Sequence, residues 1–364
     1  MAEIVLGIGT SHSPTLSTAN HNEWFAYAQG DHRHHELIHQ ETGTSVSYED
    51  LATLAAPQMR ERPITEDVFK QQYDACQSAI AELTKTIRAV NPDVTVIISD
   101  DQDEMFFDDN MPTFAVYWGE SFPVTPFEVE RLNLPPEFTA IGESLRRGYG
   151  DELIDIPIAS GLGRHLIDHM IQNEFDVAHA TYRNPIVGGS VARRYPTQEG
   201  GELDYARQTP EHGQGLPHGF SFVVQRLFEK QPRTILPVFQ NTCYPPNQPT
   251  PKRSYAFGRA IPDAIASWDS DARVAVIASG GLSHFVVDEL LDHMVLDALA
   301  SKDAQALQNL PRHRLLSAAS EAQNWVALGG ALETTPLQME LVDYVPVYRT
   351  EAGTGGGWAF ARWT

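Results

Sequence analysis

The 364-residue sequence holds only two cysteines, Cys76 and Cys243, only 26 basic residues against 48 acidic ones, and no apolar run long enough to span a membrane. Two thiols cannot build a disulfide framework, and they exclude a multi-thiolate metal site. The formal net charge of -22 is spread without a basic block. It therefore lacks the concentrated positive face that nucleic acid or an anionic membrane requires. Glu3 stands where a secretory leader carries cations, and the apolar run around it is short, so a cytoplasmic protein without a leader is expected. A phosphate loop is also missing. The glycine run from Gly353 to Gly357 has no helix-length segment after it to present backbone N–H groups to a phosphate.

Fourteen histidines are present, and with thiolates excluded, imidazole plus carboxylate is the donor chemistry left for a metal. Four short β-branched runs, Ile4 to Ile8, Val94 to Ile98, Thr234 to Phe239 and Val274 to Ile277, are apolar on both faces, as strands covered on both sides must be. Between the first two, Phe69, Tyr73, Cys76, Ile80, Leu83, Ile87 and Val90 form one helical stripe. Thr65 is placed to cap its start, and Asn91-Pro92 to end it. Further helices are expected over 161–173, 220–228, 255–268 (kinked or restarted at Pro262), 287–299 and 315–328. The pattern predicts an α/β fold with a central, mostly parallel sheet flanked by helices on both faces, in a single catalytic domain spanning residues 1–364.

Each run ends in a polar loop, and ligands of open α/β sheets bind beyond the carboxyl ends of the strands. Three of those ends deliver His12, the acidic cluster Asp100-Asp101-Gln102-Asp103-Glu104, and His284. A lone histidine after a strand is more often a loop hydrogen-bonder; three such loops together suggest an active site. His165 and His169 share the i, i+4 spacing of a zinc pair, but Leu166 stands where a metallopeptidase has its acid, so a helix-surface role is expected.

Several segments occur in an order that resembles the class III extradiol ring-cleaving dioxygenases, whose type is the catalytic β subunit of protocatechuate 4,5-dioxygenase. They are Gly9-Thr10-Ser11-His12-Ser13-Pro14, Pro112 to Val116, His218-Gly219, Tyr244-Pro245-Pro246, Ser279-Gly280-Gly281-Leu282-Ser283-His284, and Glu321 with Trp325 and Gly330-Ala331-Leu332. The overall plan is similar to single-chain methylgallate dioxygenases, with insertions at about 15–65 and 180–217. The resemblance implies a mononuclear Fe(II) centre, with Mn(II) as the alternative metal, and a small aromatic diol plus O2 as substrates. It implies that His12 and Glu321 are metal ligands, His284 the acid/base residue, and His218 a catalytic, substrate-lining residue, with His212 as its rival. A homo-oligomer is expected.

The departure is at the third ligand. The family places a histidine after the second strand, but none occurs between His39 and His165. Gln102 is expected there, with Asp100, Asp101 or the group His32, His34, His35 and His39 as alternatives. The histidine group is read first as an exposed polar helix face. Arg183 and Arg253 are candidates to meet a substrate carboxylate, with Lys252 beside them. Two rival readings keep the fold: a binding protein with an altered metal site, and a metal-dependent hydrolase or lyase.

Overall fold

The computed structural model describes residues 1–34, 37–107, 110–181 and 215–364. Among these, nine strands form one sheet: β1 (Glu3–Thr10), β2 (Val94–Ser99), β3 (Phe114–Tyr117), β4 (Ala178–Ala180), β5 (Ile235–Gln240), β6 (Arg273–Ser279), β7 (His284–Val286), β8 (Met339–Tyr348) and β9 (Thr354–Trp363). Their order is β7-β9-β1-β6-β2-β5-β3-β4, with β8 on the other edge of β9. The central four, β1, β6, β2 and β5, are parallel. β2 and β5 are buried along their whole lengths, as the two-faced apolar runs require. The flanks are mixed. β3 runs antiparallel to β5, and β9 runs antiparallel to β1, β7 and β8.

The helices that matter to the site are α1 (Trp24–Asp31), α2 (Tyr48–Met59), α3 (Glu66–Val90), α4 (Thr139–Tyr149), α5 (Ser160–Gln172), α6 (His218–Phe222), α7 (Pro251–Ser267), α8 (Glu289–Ala300) and α9 (Ala322–Leu332). α3 starts where Thr65 accepts from Val68 N–H and ends where Asn91 turns left-handed at φ 46°. Its apolar stripe packs against β1, β8 and β9. Pro262 does not break α7, which runs through it as one 17-residue helix. The helix expected over 315–328 instead begins as a tight 3-10 turn, Ser317–Glu321, and only then becomes α9. α7 and α9 cross backbone to backbone: a Cβ on Gly258 would overlap the Ala327 carbonyl, and one on Gly330 the Tyr255 carbonyl. That crossing fixes α9, and with it Glu321, against the sheet.

The first insertion folds as α1, a two-stranded hairpin (Ile38–His39 with Thr44–Ser45) and α2. Asp31, at the end of α1, is buried and pairs with Arg349 through two bonds of 2.9 and 3.0 Å, while Thr354 Oγ1 donates to it at 2.7 Å. This ties the insertion to the β8–β9 hairpin. Among the described residues the histidine group is not a helix face, because α1 stops at Asp31 before His32 and His34, and His39 lies in the hairpin. His32 packs at a tilt against Tyr48, His34 likewise against Phe285, and His39 bonds Thr42; His35 lies outside the described residues. No described helix is long and apolar enough to cross a membrane.

Candidate metal centre

The carboxyl ends of the parallel strands lie level, Thr10 of β1 beside Ser279 of β6. His12, Asp100, His218 and Glu321 converge beyond them, with one ligand atom from each lying within 4.8 Å of all the others. His12 and Asp100 leave the ends of β1 and β2, His218 opens α6, and Glu321 closes the 3-10 turn before α9. His12, Asp100 and Glu321 are buried, and His218 is nearly so.

His12 Nδ1 is 3.1 Å from Ser279 Oγ, and that hydroxyl donates to the Gly219 carbonyl at 2.6 Å. The hydroxyl proton being committed, Nδ1–H must donate to it, and His12 Nε2 is left as a bare lone pair. It faces His218 Nε2 at 3.1 Å and Glu321 Oε2 at 3.2 Å. On the far side of the second ring, His218 Nδ1 bonds Glu104 Oε1, while Glu104 Oε2 accepts the His218 backbone N–H at 2.7 Å. Tyr149, stacked on Phe127, donates its hydroxyl to Glu104 at 2.9 Å. Gly219 allows the approach, since a Cβ there would overlap Ser99 Oγ and crowd the His12 ring.

The electrostatics call for a cation. Burial alone would lower the His218 pKa, but the Glu104 carboxylate outweighs it and holds the ring up at about 10. Burial raises Asp100, reinforced by the neighbouring charge of Glu321. Burial would also raise Glu321, yet His284 and His12 draw it well down. Between two facing Nε2 atoms and two carboxylates there is room for one positive charge, either a proton on His218 or a metal ion in its place. Nitrogen and carboxylate donors in this proportion suit a divalent first-row ion. The residues therefore fit a divalent metal ion, the coarser part of what the resemblance implied.

Gln102 sits at the edge of the cluster, and its amide nitrogen donates to Asp100 Oδ2 at 3.0 Å and to Glu321 Oε1 at 2.8 Å. It links the two carboxylates, while Asp100 supplies the oxygen from this loop. Asp101 is committed elsewhere: its carboxylate accepts the backbone N–H groups of Glu104, Met105 and Phe106. Those bonds, with Asp103 left-handed at φ 56°, turn the loop so that Glu104 reaches His218. Sequence reasoning missed the Glu104 role, for which the only local signal was membership of the acidic run.

His284 is buried beside the cluster, its Nδ1 donating to the Leu282 carbonyl at 3.1 Å and its Nε2 3.2 Å from Glu321 Oε1. Burial would lower its pKa, but Glu321 prevails and raises it. The Gly280-Gly281 step brings the loop close: Gly281 N–H donates to Glu321 Oε2 at 2.7 Å, and Trp325 Nε1 to the Gly280 carbonyl at 2.8 Å. Arg253 is engaged away from these groups. Its guanidinium lies 4.1 Å over the Phe175 ring and reaches the Glu174 carbonyl. Arg183 and His212 lie outside the described residues. His165 and His169 are half-buried on α5, with His165 bonded to Ser267 at 3.0 Å.

Residues 53–355 match the family described as the catalytic LigB subunit of aromatic ring-opening dioxygenase. This chain belongs to that family. The LigB match covers β6, the loop of Asp100, His218, His284 and Glu321, whereas His12 precedes it and nearly all of β9 follows it. The chain is also similar to a gallate dioxygenase of Pseudomonas putida, 30% identical over 159 residues, which is 40% of this chain and 45% of that protein. The alignment thus spans less than half of that relative.

Proposed function

We propose that this LigB-family chain is an extradiol dioxygenase that opens a catecholic or gallate-like ring with O2 at a mononuclear Fe(II) centre. The observation that carries the reading is the buried convergence of His12, Asp100, His218 and Glu321 at the carboxyl edge of the parallel strands. Two imidazoles and two carboxylates would hold the ion. The second imidazole comes from His218 on α6, since the loop after β2 contributes Asp100. A bound Fe(II) supplies Lewis acidity toward a diol and redox capacity toward dioxygen. The extra carboxylate makes the donor set harder, so Mn(II) remains an acceptable substitute.

The protein's own groups divide the remaining work. Glu104 and Ser279 hold the two rings by their outer nitrogens and aim each Nε2 inward. His284 is the acid/base. Its Nδ1–H is committed to Leu282, so proton exchange falls to Nε2, which faces the cluster beside Glu321. Gln102 keeps the carboxylates of Asp100 and Glu321 apart and oriented. Substrate hydroxyls meeting this base would lose a proton on binding, and the same nitrogen could return it as the ring opens.

The test is oxygen consumption by anaerobically purified, Fe(II)-loaded protein with gallate, 3-O-methylgallate, protocatechuate and catechol. One O2 consumed per ring, with the absorbance of a ring-opened product, is the expected result. No uptake with any diol would reject the reading, and turnover of an ester or amide without oxygen would favour a hydrolase.

A further inference from the structure

A cavity of about 290 Å³ lies between the loop before α7 and the 3-10 turn Arg312–Arg314. Pro249, Leu315 and Leu316 give it an apolar wall, and Arg312, His313 and Gln323 give it a polar one. It is separate from the metal centre. Glu321 and Gln323 are two residues apart where α9 begins, and successive helical residues turn by about 100°, so the two side chains leave the helix on roughly opposite sides. Glu321 reaches the cluster and Gln323 lines the cavity.

Gln248, on the cavity wall, donates its amide to the Thr242 carbonyl, whereas Arg312 and the Gln323 amide nitrogen have no acceptor among the described residues. Gln323 is only 3% exposed, and its Oε1 accepts from Ser254 Oγ at 3.3 Å. Its amide nitrogen has no protein acceptor among the described residues, and the residue lines the cavity. Arg312 likewise has no carboxylate partner among them, although Arg314, two residues on, is paired with Asp288 at 2.5 Å. The 17-residue helix α7 starts at the cavity with Pro251, adding the positive end of its dipole. In a chain of net charge -22, an uncompensated guanidinium, a buried amide donor and a helix N-terminus facing one space select an anion.

We propose that this cavity is a second binding site, for a small organic carboxylate with an aromatic or short apolar body. The carboxylate meets Arg312 and the Gln323 amide, and the body lies on Pro249, Leu315 and Leu316. The assignment rests on the cavity alone and stands whether or not the chain opens aromatic rings.

Benzoate is the probe, because it has the carboxylate and the ring but no adjacent hydroxyls to chelate a metal. Calorimetric titration of the full chain should give saturable, one-site binding at or below millimolar concentration. Arg312→Ala and Leu316→Trp, the second of which fills the cavity, should each weaken it at least ten-fold, as loss of a charged hydrogen bond or of the space would. His12→Ala should bind benzoate as the native chain does. The proposal is overturned if no saturable binding occurs, if both cavity variants bind normally, or if His12→Ala abolishes binding, which would put benzoate at the metal centre. Inorganic phosphate binding as tightly as benzoate would overturn the apolar half of the assignment. Thermal melts of each variant establish that a loss of binding is not a loss of fold.

Discussion

His12 and His218 present their Nε2 atoms to each other at 3.1 Å, although 206 residues separate them in the chain. Each ring is held from behind by a different acceptor, Ser279 Oγ for His12 and Glu104 for His218. Two imidazoles locked this way cannot both keep bare lone pairs without a positive charge between them, carried either by a proton on His218 or by a metal ion, and this relationship is what makes the cluster a candidate metal centre.

Glu104→Gln should therefore weaken metal retention without unfolding the chain. The amide can still accept one bond from His218, but the charge that favours a cation at this ring is gone. Outer-shell partners of ligating histidines are typically worth about 10- to 100-fold in metal affinity. Competition against a chelator of known affinity measures the loss, and Tyr149→Phe, which removes only a neutral donor to Glu104, should lose less.

Much of this was legible in the sequence, and the exceptions share a cause. The parallel strands were readable because both of their faces are apolar, and His12, His284 and Glu321 could be picked out as candidates because they stand in ordered motifs. The choice within Asp100-Asp101-Gln102-Asp103-Glu104 was not. Five consecutive polar residues in a loop have no period, and which of them faces the site depends on Asp101 capping three backbone N–H groups. The Glu104–His218 bond spans 114 residues, and no local pattern announces a contact of that range. The β8–β9 hairpin was also unread, because glycine-rich β9 has weak strand propensity and is held by pairing on both edges.

Asp31→Ala should be strongly destabilising. It strands the Arg349 guanidinium, which is 5% exposed and bonded to both Asp31 oxygens. Removing one partner of a buried pair costs about 3–5 kcal/mol. A lowered Tm and earlier denaturant unfolding are expected, whereas the exposed Lys70–Asp74 pair, 59% and 58% exposed, should tolerate Asp74→Ala with little change.

Stability should also fall as pH rises because of Asp292. Burial raises its carboxyl from 3.8 to about 7, against hydrogen bonds from Tyr344, Ser283 Oγ and Ser283 N–H, with the Asp288 charge adding to the rise. The fold favours the neutral acid, so this contribution is complete below the ordinary value and is lost as pH climbs through the folded one. Thermal melts across this window should show a downward slope in the native chain that is shallower in Asp292→Asn. Equal slopes would show that the group stays ionised in the fold.

The most direct test of the account is iron content per chain after anaerobic Fe(II) loading and desalting, compared between the native protein and four variants. The assignment predicts one iron per native chain, retention in His284→Ala and in Gln102→Ala, and loss in His218→Ala and Asp100→Ala. Iron retained by His218→Ala and lost by Gln102→Ala would contradict it, because the third ligand would then be the glutamine and not the pair contributed by α6 and the loop after β2.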